Sequence, residues 1–497
     1  MSTCKPKLTL EEKELAILRE SIDIAEKRKG KQTVSDPDVK KIISILEDFL
    51  KKKRLVCYGG TAINNILPLE DQFYNKDIEI PDYDFYSPSA LEDAKELADI
   101  YYDYGFQEVE AKAGVHHGTY KVYVNFIPVA DITFLEKSLF KKVQKEAVRV
   151  YGILYCPPNF LRMNMYLELS RPAGDISRWE KVLKRLLLLN KNYPLKGKHC
   201  DPKNFQREFE KKDNKQEQDL YYAVRDAFID QGLIFFGGYA SYLYSNYMPK
   251  KLKSIFHKTP DFDVLAENPD QAAVILKERL EDLNYSKVNI VKHEGIGELI
   301  APHYEIKVKI NDIEETVAFI YQPIACHSYN VIKLGKKSVR VATIDTMLSF
   351  YFAFFYSGRN YYDENRILCM AQYLFDVQQK NRLEQKGLLR RFSINCYGKQ
   401  ETLEEMRNTK SEKYKELKNK RNTKEYESWF LRYVPFEENE SKKENKNRKE
   451  NKNRKENKNR KENKNRKENE SKRESKKITQ KRKSSNKRKT KKNFFGF

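Results

Sequence analysis

Apolar residues recur at helical spacing in "SALEDAKELADIYYDYGF" and again in "NPDQAAVILKERLEDLNY". They alternate with polar ones in "TYKVYVNFIPVADITFL" and "HYEIKVKINDIEETVAFIYQ". The first pair reads as amphipathic helices and the second as alternating, strand-like stretches. Upstream, "TLEEKELAILRESIDIAEKRKG" and "SDPDVKKIISILEDFLKKKR" are further helices, the second with Ser35 or Asp36 as N-cap and Pro37 in its first turn. Both are expected to buttress a sheet. Near the end of the apolar pattern, "TIDTMLSFYFAFFYSGRNYYDENRILCMAQYLFDVQQ" predicts two aromatic-rich helices.

These patterns come in two sets. "RLVCYGGTAINNILP" followed by "PDYDFYSP" is matched by "GLIFFGGYASYLYSN" followed by "PDFDVLAENP". From the second glycine to the first aspartate the distance is 22 residues in one copy (Gly60 to Asp82) and 23 in the other (Gly238 to Asp261). A strand, a Gly-Gly turn, a helix and an Asp-x-Asp strand therefore occur twice, which predicts two tandem α/β (α+β) units with mixed sheets flanked by helices. The expected organisation is a helical arm over 1–34, a first unit over 35–200, a charged linker over 201–218 and a second unit with C-terminal helices over 219–436. A tail follows over 437–497.

Charge changes the picture only at that tail. The formal net charge is +23, but residues 441–497 carry 26 Lys and Arg against 7 Glu, and the rest of the chain is nearly balanced. The hexamer "KENKNR" repeats from Lys443 to Arg466, and almost nothing there is apolar. Such a segment cannot offset its ordering entropy and is expected to be disordered. It reads as a solvated extension, a loose phosphate-contacting arm or an import signal.

At 497 residues the chain can bury sizeable cores. Its seven cysteines are scattered with no Cys-x-x-Cys pair, which suggests neither a disulfide framework nor a thiolate zinc site and fits a reducing, intracellular setting. The greasiest run, "MLSFYFAFFYSGR", stops before it could span a bilayer, so a soluble protein without membrane contact is expected.

The candidate chemistry sits in "IEIPDYDFYSP". In a strand, Asp82 and Asp84 project on the same side, roughly 6.6 Å apart at about 3.3 Å of rise per residue. "PVADITF" puts Asp131 in another strand, whereas the equivalent "TVAFIYQ" of the second copy has Phe319. Three convergent carboxylates repel one another unless cations sit between them, and hard oxygen donors favour Mg²⁺ or Mn²⁺ over zinc. Asp261 and Asp263 lack the third acid, and read as turn hydrogen-bond acceptors or a surface salt link. Gly59 and Gly60, with a helix expected from near Thr61, offer free amides and room for a triphosphate. In "ISRWEKVLKRLLLLNKNYP", Arg178, Lys181 and Arg185 share a helix face beside Val182, Leu186 and Leu189, and could hold a triphosphate or an RNA backbone. Trp179 reads as core, and His116 and His117 as an exposed loop pair.

The Gly59–Gly60 turn, the Asp82-x-Asp84 strand and the later Asp131 resemble the nucleotidyltransferase superfamily. The wording "YGGTAIN", "DYDFYSP" and "SRPAGDISRWEKVLKRLLLLNKNYP", with the degenerate second copy, is similar to the poly(A) polymerase catalytic subunits of large cytoplasmic DNA viruses, over most of residues 35–436. The resemblance implies AMP transfer from ATP to an RNA 3′ end with two Mg²⁺ or Mn²⁺ ions. Asp82, Asp84 and Asp131 would be catalytic metal ligands, and Gly59, Gly60, Thr61, Arg178, Lys181 and Arg185 would contact the nucleotide. It also implies a viral factory in the host cytoplasm, and packaging in the virion. A homodimer, suggested by the aromatic excess of the second unit, or a separate processivity factor is the expected partner. The same residues would serve a uridylyl or CCA-adding transferase, while a non-catalytic RNA-binding or processivity subunit would not need the intact trio. No β-type DNA polymerase hairpin domain is evident.

Overall fold

The computed structural model describes residues 9–198, 200, 215–248, 261–285, 287–297, 299–310, 313–359 and 361–436, with 461, 463, 467 and 469–481 in the tail. The chain divides into two compact units, Met1–Arg432 and Tyr433–Phe497.

The larger unit opens with α1 (Leu10–Ser35), started by a capping box in which Thr9 and Glu12 exchange hydrogen bonds. Next is α2 (Pro37–Lys53), capped by Asp36, whose carboxylate accepts from the amides of Asp38 and Val39. Only α2 buttresses the sheet, burying Ile42, Leu46, Phe49 and Leu50, whereas α1 buries no residue. The sequence expectation fails for α1 because Leu15, Leu18 and Ile22 fall on one face and Leu10, Ile17 and Ile24 on the opposite one, so no single stripe exists to bury.

The first copy then runs β1 (Val56–Tyr58), α3 (Gly59–Ile66), β2 (Tyr83–Ser87), α4 (Ala90–Asp103), β3 (Val109–Ala113), β4 (Thr119–Val124), β5 (Ile127–Phe134), α5 (Lys137–Glu146), β6 (Val148–Val150), β7 (Ile153–Tyr155), α6 (Pro158–Leu169) and α7 (Trp179–Asn192). Its strands lie in the order β3-β4-β5-β2-β1-β7-β6, with β2–β5 and β1–β7 parallel and the other pairs antiparallel. At the β3 edge, the amide of Ala113 donates to the carbonyl of Leu431.

The second copy comprises α8 (Lys215–Asp230), β8 (Ile234–Phe236), α9 (Gly237–Tyr244), β9 (Phe262–Leu265), α10 (Pro269–Asp282), β10 (Val288–His293), β11 (His303–Ile310), β12 (Ile313–Tyr321), β13 (His327–Leu334), β14 (Lys337–Ala342), α11 (Ile344–Ser357) and α12 (Glu364–Lys380). Then follow β15 (Cys396–Tyr397), α13 (Leu403–Leu417) and α14 (Lys424–Phe430). The strand order β10-β11-β12-β9-β8-β14-β13 repeats that of the first sheet position for position, and β15 extends it. The duplication read in the sequence is thus a duplication of topology. Helix α8 starts inside the expected linker, whose residues 201–214 lie outside the described ones.

The copies pack through α6 and α11, which follow matching strands. Phe160 meets Tyr356 edge-on at 5.0 Å, and Tyr166 lies parallel to Phe352 at 6.3 Å. The amide of Ser328 donates to the carbonyl of Ser170 at 2.8 Å. Helix α11 is buried from Ile344 to Tyr356, so its aromatics are core. That removes the ground on which the sequence suggested a second copy of the chain as partner.

Two disulfides correct the cysteine reading: Cys200–Cys369 and Cys326–Cys396 join residues 169 and 70 positions apart, while Cys57 and Cys156 are free and buried. Local spacing carries no information about pairs that only the tertiary fold brings together. In the smaller unit, residues 469–481 are helical and wholly exposed. They bury nothing, as their composition dictates. The hexamer repeats lie largely outside the described residues. No described helix is long and apolar enough to cross a membrane.

Asp345, in the first turn of α11, receives Arg391 through contacts of 2.8 to 3.0 Å and Gln378 of α12 at 3.2 Å. Both partners of the ion pair are largely out of water. Asp345→Ala would leave a buried guanidinium unpaired, and should lower stability by about 3–5 kcal/mol. The double change Asp345→Leu with Arg391→Met should recover most of it, as read from urea denaturation midpoints.

Candidate active site

Strand β1 delivers the chain to Gly59, whose φ of +74° is a left-handed conformation that side chains resist. A Cβ on Gly59 would lie 2.4 Å from Oδ2 of Asp84, so the turn needs glycine both for its backbone and for the approach of the acid. At Gly60 a Cβ would lie 2.4 Å from the Tyr74 hydroxyl and 3.0 Å from Nη1 of Arg185. Helix α3 begins at Gly59, two residues before the expected start. Thr61 is buried, and its hydroxyl donates to the carbonyl of Asp82 at 2.6 Å, pinning the entry of β2 to α3.

Parallel pairing of β2 with β5 sets Asp84 directly beside Asp131, and Asp82 precedes Asp84 by two residues on the same side. Each acid feels the others. Loss of solvent, then the charges of Asp82 and Asp131, pushes Asp84 up to about 7, with Lys121 and Arg178 opposing. Loss of solvent and Asp131 likewise raise Asp82, offset by Lys121 and Lys181. Asp131 is paired with Lys121, the residue facing it across the β4–β5 ladder, whose ammonium donates to Oδ2. Among the described residues, no three acidic, imidazole or thiolate groups are drawn together as a finished metal cage. The trio is adjacent, and a lysine occupies one of its members.

Of the basic residues expected on one face, Arg185 reaches closest to the turn. It donates to the Tyr74 hydroxyl at 2.7 Å and lies 4.8 Å from the Phe73 ring. Lys181 is exposed near Asp82. Arg178 is paired with Glu168 at 3.1 Å. Val182, Leu186 and Leu189 form the buried strip of α7, as read. Trp179 donates to the carbonyl of Glu168 at 3.0 Å and lies 5.9 Å from Phe392, a packing role.

Two cavities flank the acids. One of about 1030 Å³ runs between the copies, and is walled by Tyr58, Tyr86, Thr133, Phe160, Arg171 and Phe350. Tyr86 and Thr133 follow Asp84 and Asp131 by two residues, so this cavity opens on the acid-bearing face. Tyr58 stacks on Tyr86 at 4.1 Å, and its hydroxyl is 2.9 Å from that of Thr133. His116 and His117, read as an exposed pair, are exposed but stand at its rim, and His117 lies 4.1 Å from the Trp429 ring. The other cavity, about 600 Å³, lies between Asp82, Thr61, Asn64 and Tyr151.

Sequence reasoning missed Lys121 and Tyr74. A signal for Lys121 was present: it interrupts the buried run Tyr120, Val122, Val124 in a strand joined to β5 by a two-residue turn at Asn125 and Phe126, both with positive φ. That hairpin alone would set Lys121 against Ala130; a register shift between Val122 and Tyr123, which no local pattern announces, brings it opposite Asp131. Tyr74 lies in the irregular segment before β2, where no periodicity exists to read.

The second copy repeats the frame without the site. Gly237 has φ +70°, and a Cβ there would lie 2.0 Å from Oδ2 of Asp263. Strand β12 pairs with β9 so that Phe319 stands beside Asp263, in the register of Asp131 beside Asp84. Asp261 is buried against Gly238 of the turn, which sets aside the surface salt link of the two roles expected for it.

Residues 44–175 match the family model of the poly(A) polymerase catalytic subunit. This stretch holds the turn and all three acids. A protein of African swine fever virus (strain Badajoz 1971 Vero-adapted) assigned as a poly(A) polymerase catalytic subunit is 32% identical over 178 residues, 35% of this chain and 36% of that one. A protein of Acanthamoeba polyphaga mimivirus assigned the same way is 32% identical over 160 residues, 31% of this chain and 26% of that one. The chain thus spans about a third of the length of the curated relatives it matches. The crystal structure of the Megavirus polyadenylate synthase superposes with a TM-score of 0.72 at 20% identity, covering 88% of both chains, so the two-copy fold is shared almost throughout.

Because the folded Asp84 keeps its proton up to about 7 while an unfolded aspartate releases it near 4, this group stabilises the fold at low pH. The contribution is lost as pH rises through the folded value. With divalent ions chelated, the melting temperature should therefore fall between about pH 4 and pH 8 more steeply in the wild type than in Asp84→Asn. Saturating Mn²⁺ should flatten the wild-type profile.

Proposed function

We propose that the chain is a template-independent RNA nucleotidyltransferase that adds AMP from ATP to RNA 3′ ends, releasing diphosphate. One observation carries the reading: Asp84 and Asp131 stand side by side in register next to the Gly59 turn, with Asp82 two residues before Asp84, while the duplicate has Phe319 at the third position. A binding subunit would not need that difference between two otherwise matching frames.

The donor set fits divalent cations, since it is all carboxylate oxygen, partly dehydrated and mutually repelling. Asp82 and Asp84 would hold two Mg²⁺ or Mn²⁺ ions, and Asp131 one of them. Bound there, the ions would supply the charge that eases deprotonation of the 3′ hydroxyl and stabilises the departing diphosphate. The chain's own groups do the positioning. Gly60 lets Tyr74 and Arg185 close on the start of α3, and Arg185, held by Tyr74, would offer a triphosphate a planar cation. Lys181 adds charge at the mouth. Arg178, paired with Glu168, orders the start of α7 and lowers the charge around Asp84. The cavity between the copies presents the aromatic walls of Tyr58, Tyr86, Phe160 and Phe350 to a purine.

The viral relatives support a setting in the cytoplasmic factory of an infected cell, with packaging in the virion as a second destination. A separate processivity factor would act on the exposed RNA-facing rim.

The test is incubation of the full chain with a short labelled RNA, Mn²⁺ or Mg²⁺ and each nucleoside triphosphate in turn, reading product length on a gel. The RNA should be extended with ATP, and Asp82→Ala and Asp131→Ala should each reduce addition by about a thousandfold or more. Asp261→Ala should leave the chemistry in place. Extension with UTP or CTP instead would reassign the product, and no extension with any triphosphate would sink the enzymatic reading.

A further inference from the structure

Lys121 stands among the three acids with no part in the reading above. It projects from β4 directly opposite Asp131 in the antiparallel ladder, and its ammonium bonds that carboxylate. Its charge reaches Asp82 and Asp84 as well, since it is the foremost opposing influence on both. Neighbouring Tyr120, Val122 and Val124 are buried, so the strand is fixed and the lysine's root cannot move away. The side chain itself is about a third exposed and free to swing.

We propose that Lys121 is an internal counter-cation: it holds the place of a divalent ion at Asp131 in the metal-free protein, and must release that carboxylate when the ion arrives. The inference rests on the acids being metal ligands. Three carboxylates on adjacent strands carry a repulsion that one ammonium relieves without the ordered shell a metal demands. The lysine therefore keeps the site assembled between turnovers, at the cost of competing for the ion that Asp131 shares. Entry of a triphosphate, which brings both its own cation and new negative charge, gives the ammonium another partner. The ion at Asp131 is thereby coupled to the nucleotide.

The experiment is titration of Mn²⁺ into the full chain without nucleotide at about pH 8.5, where the carboxylates are ionised, followed by calorimetry and by Mn²⁺ electron paramagnetic resonance. Lys121→Met should bind Mn²⁺ about tenfold tighter than wild type, because a fixed competitor of the same sign is gone. Lys121→Arg should stay within about twofold of wild type. In chelator, Lys121→Met should melt earlier than wild type, with Mn²⁺ reversing the order. Lys121→Gln, which keeps a polar side chain on the strand, serves if the methionine variant does not fold. Mn²⁺ affinity unchanged or weakened in the folded neutral variant would overturn the proposal. Asp131→Asn separates the two readings: if the number of Mn²⁺ ions bound and their affinities match wild type, the assignment of Asp131 as a metal ligand fails. If it loses or weakens one of the two ions while the Lys121 variants match wild type, only the counter-cation role fails.

Discussion

The parallel pairing of β2 with β5 is the constraint on which the rest depends. It fixes Asp84 beside Asp131 at a separation set by the backbone ladder, not by side-chain choice. Everything around it manages the electrostatic consequence. Gly59 lets the turn lie against Asp84, Thr61 anchors the backbone of Asp82, and Lys121 neutralises Asp131. The site is assembled by strand register first, and tuned by neighbours second.

The same register explains why the duplicate is informative. Both copies keep the strand order, the left-handed glycine and the aspartate packed under it. Those features serve the fold of each half, so they survive without chemistry. What the second copy lacks is the group with no packing role. In its place Phe319 lies parallel to Tyr361 at 5.6 Å, within an aromatic cluster that includes His303 and Tyr321.

Much of this was legible in the sequence because local periodicity and a duplicated motif encode it. The alternation in "TYKVYVNFIPVADITFL" gave β4 and β5, and the comparison of "PVADITF" with "TVAFIYQ" located both the third acid and its loss. Features that depend on distant residues were not legible. The two disulfides join positions far apart in the chain. The hydroxyl of Thr61 bonds a carbonyl 21 residues later, a partner that no local pattern names. Arg178 is taken by Glu168 on the preceding helix. Helix α1 misled for a different reason: its apolar content is sufficient, but is spread over two faces. Aromatic density in α11 is core because the two copies bury it between them, and composition alone does not say which neighbour does so.

Phe319 has become structural in its own right. It is 1% exposed and ringed by His293, His303, Tyr321 and Tyr361. An aspartate restored there would enter a dry, ring-lined interior, where an isolated carboxylate costs several kcal/mol to ionise. Reversal would require rebuilding that shell around a new charge, not one codon change. The packing of the duplicate thus keeps a third acid out of its frame, and the residues of that half that wall the cavity beside its neighbour are bound by shape and not by charge.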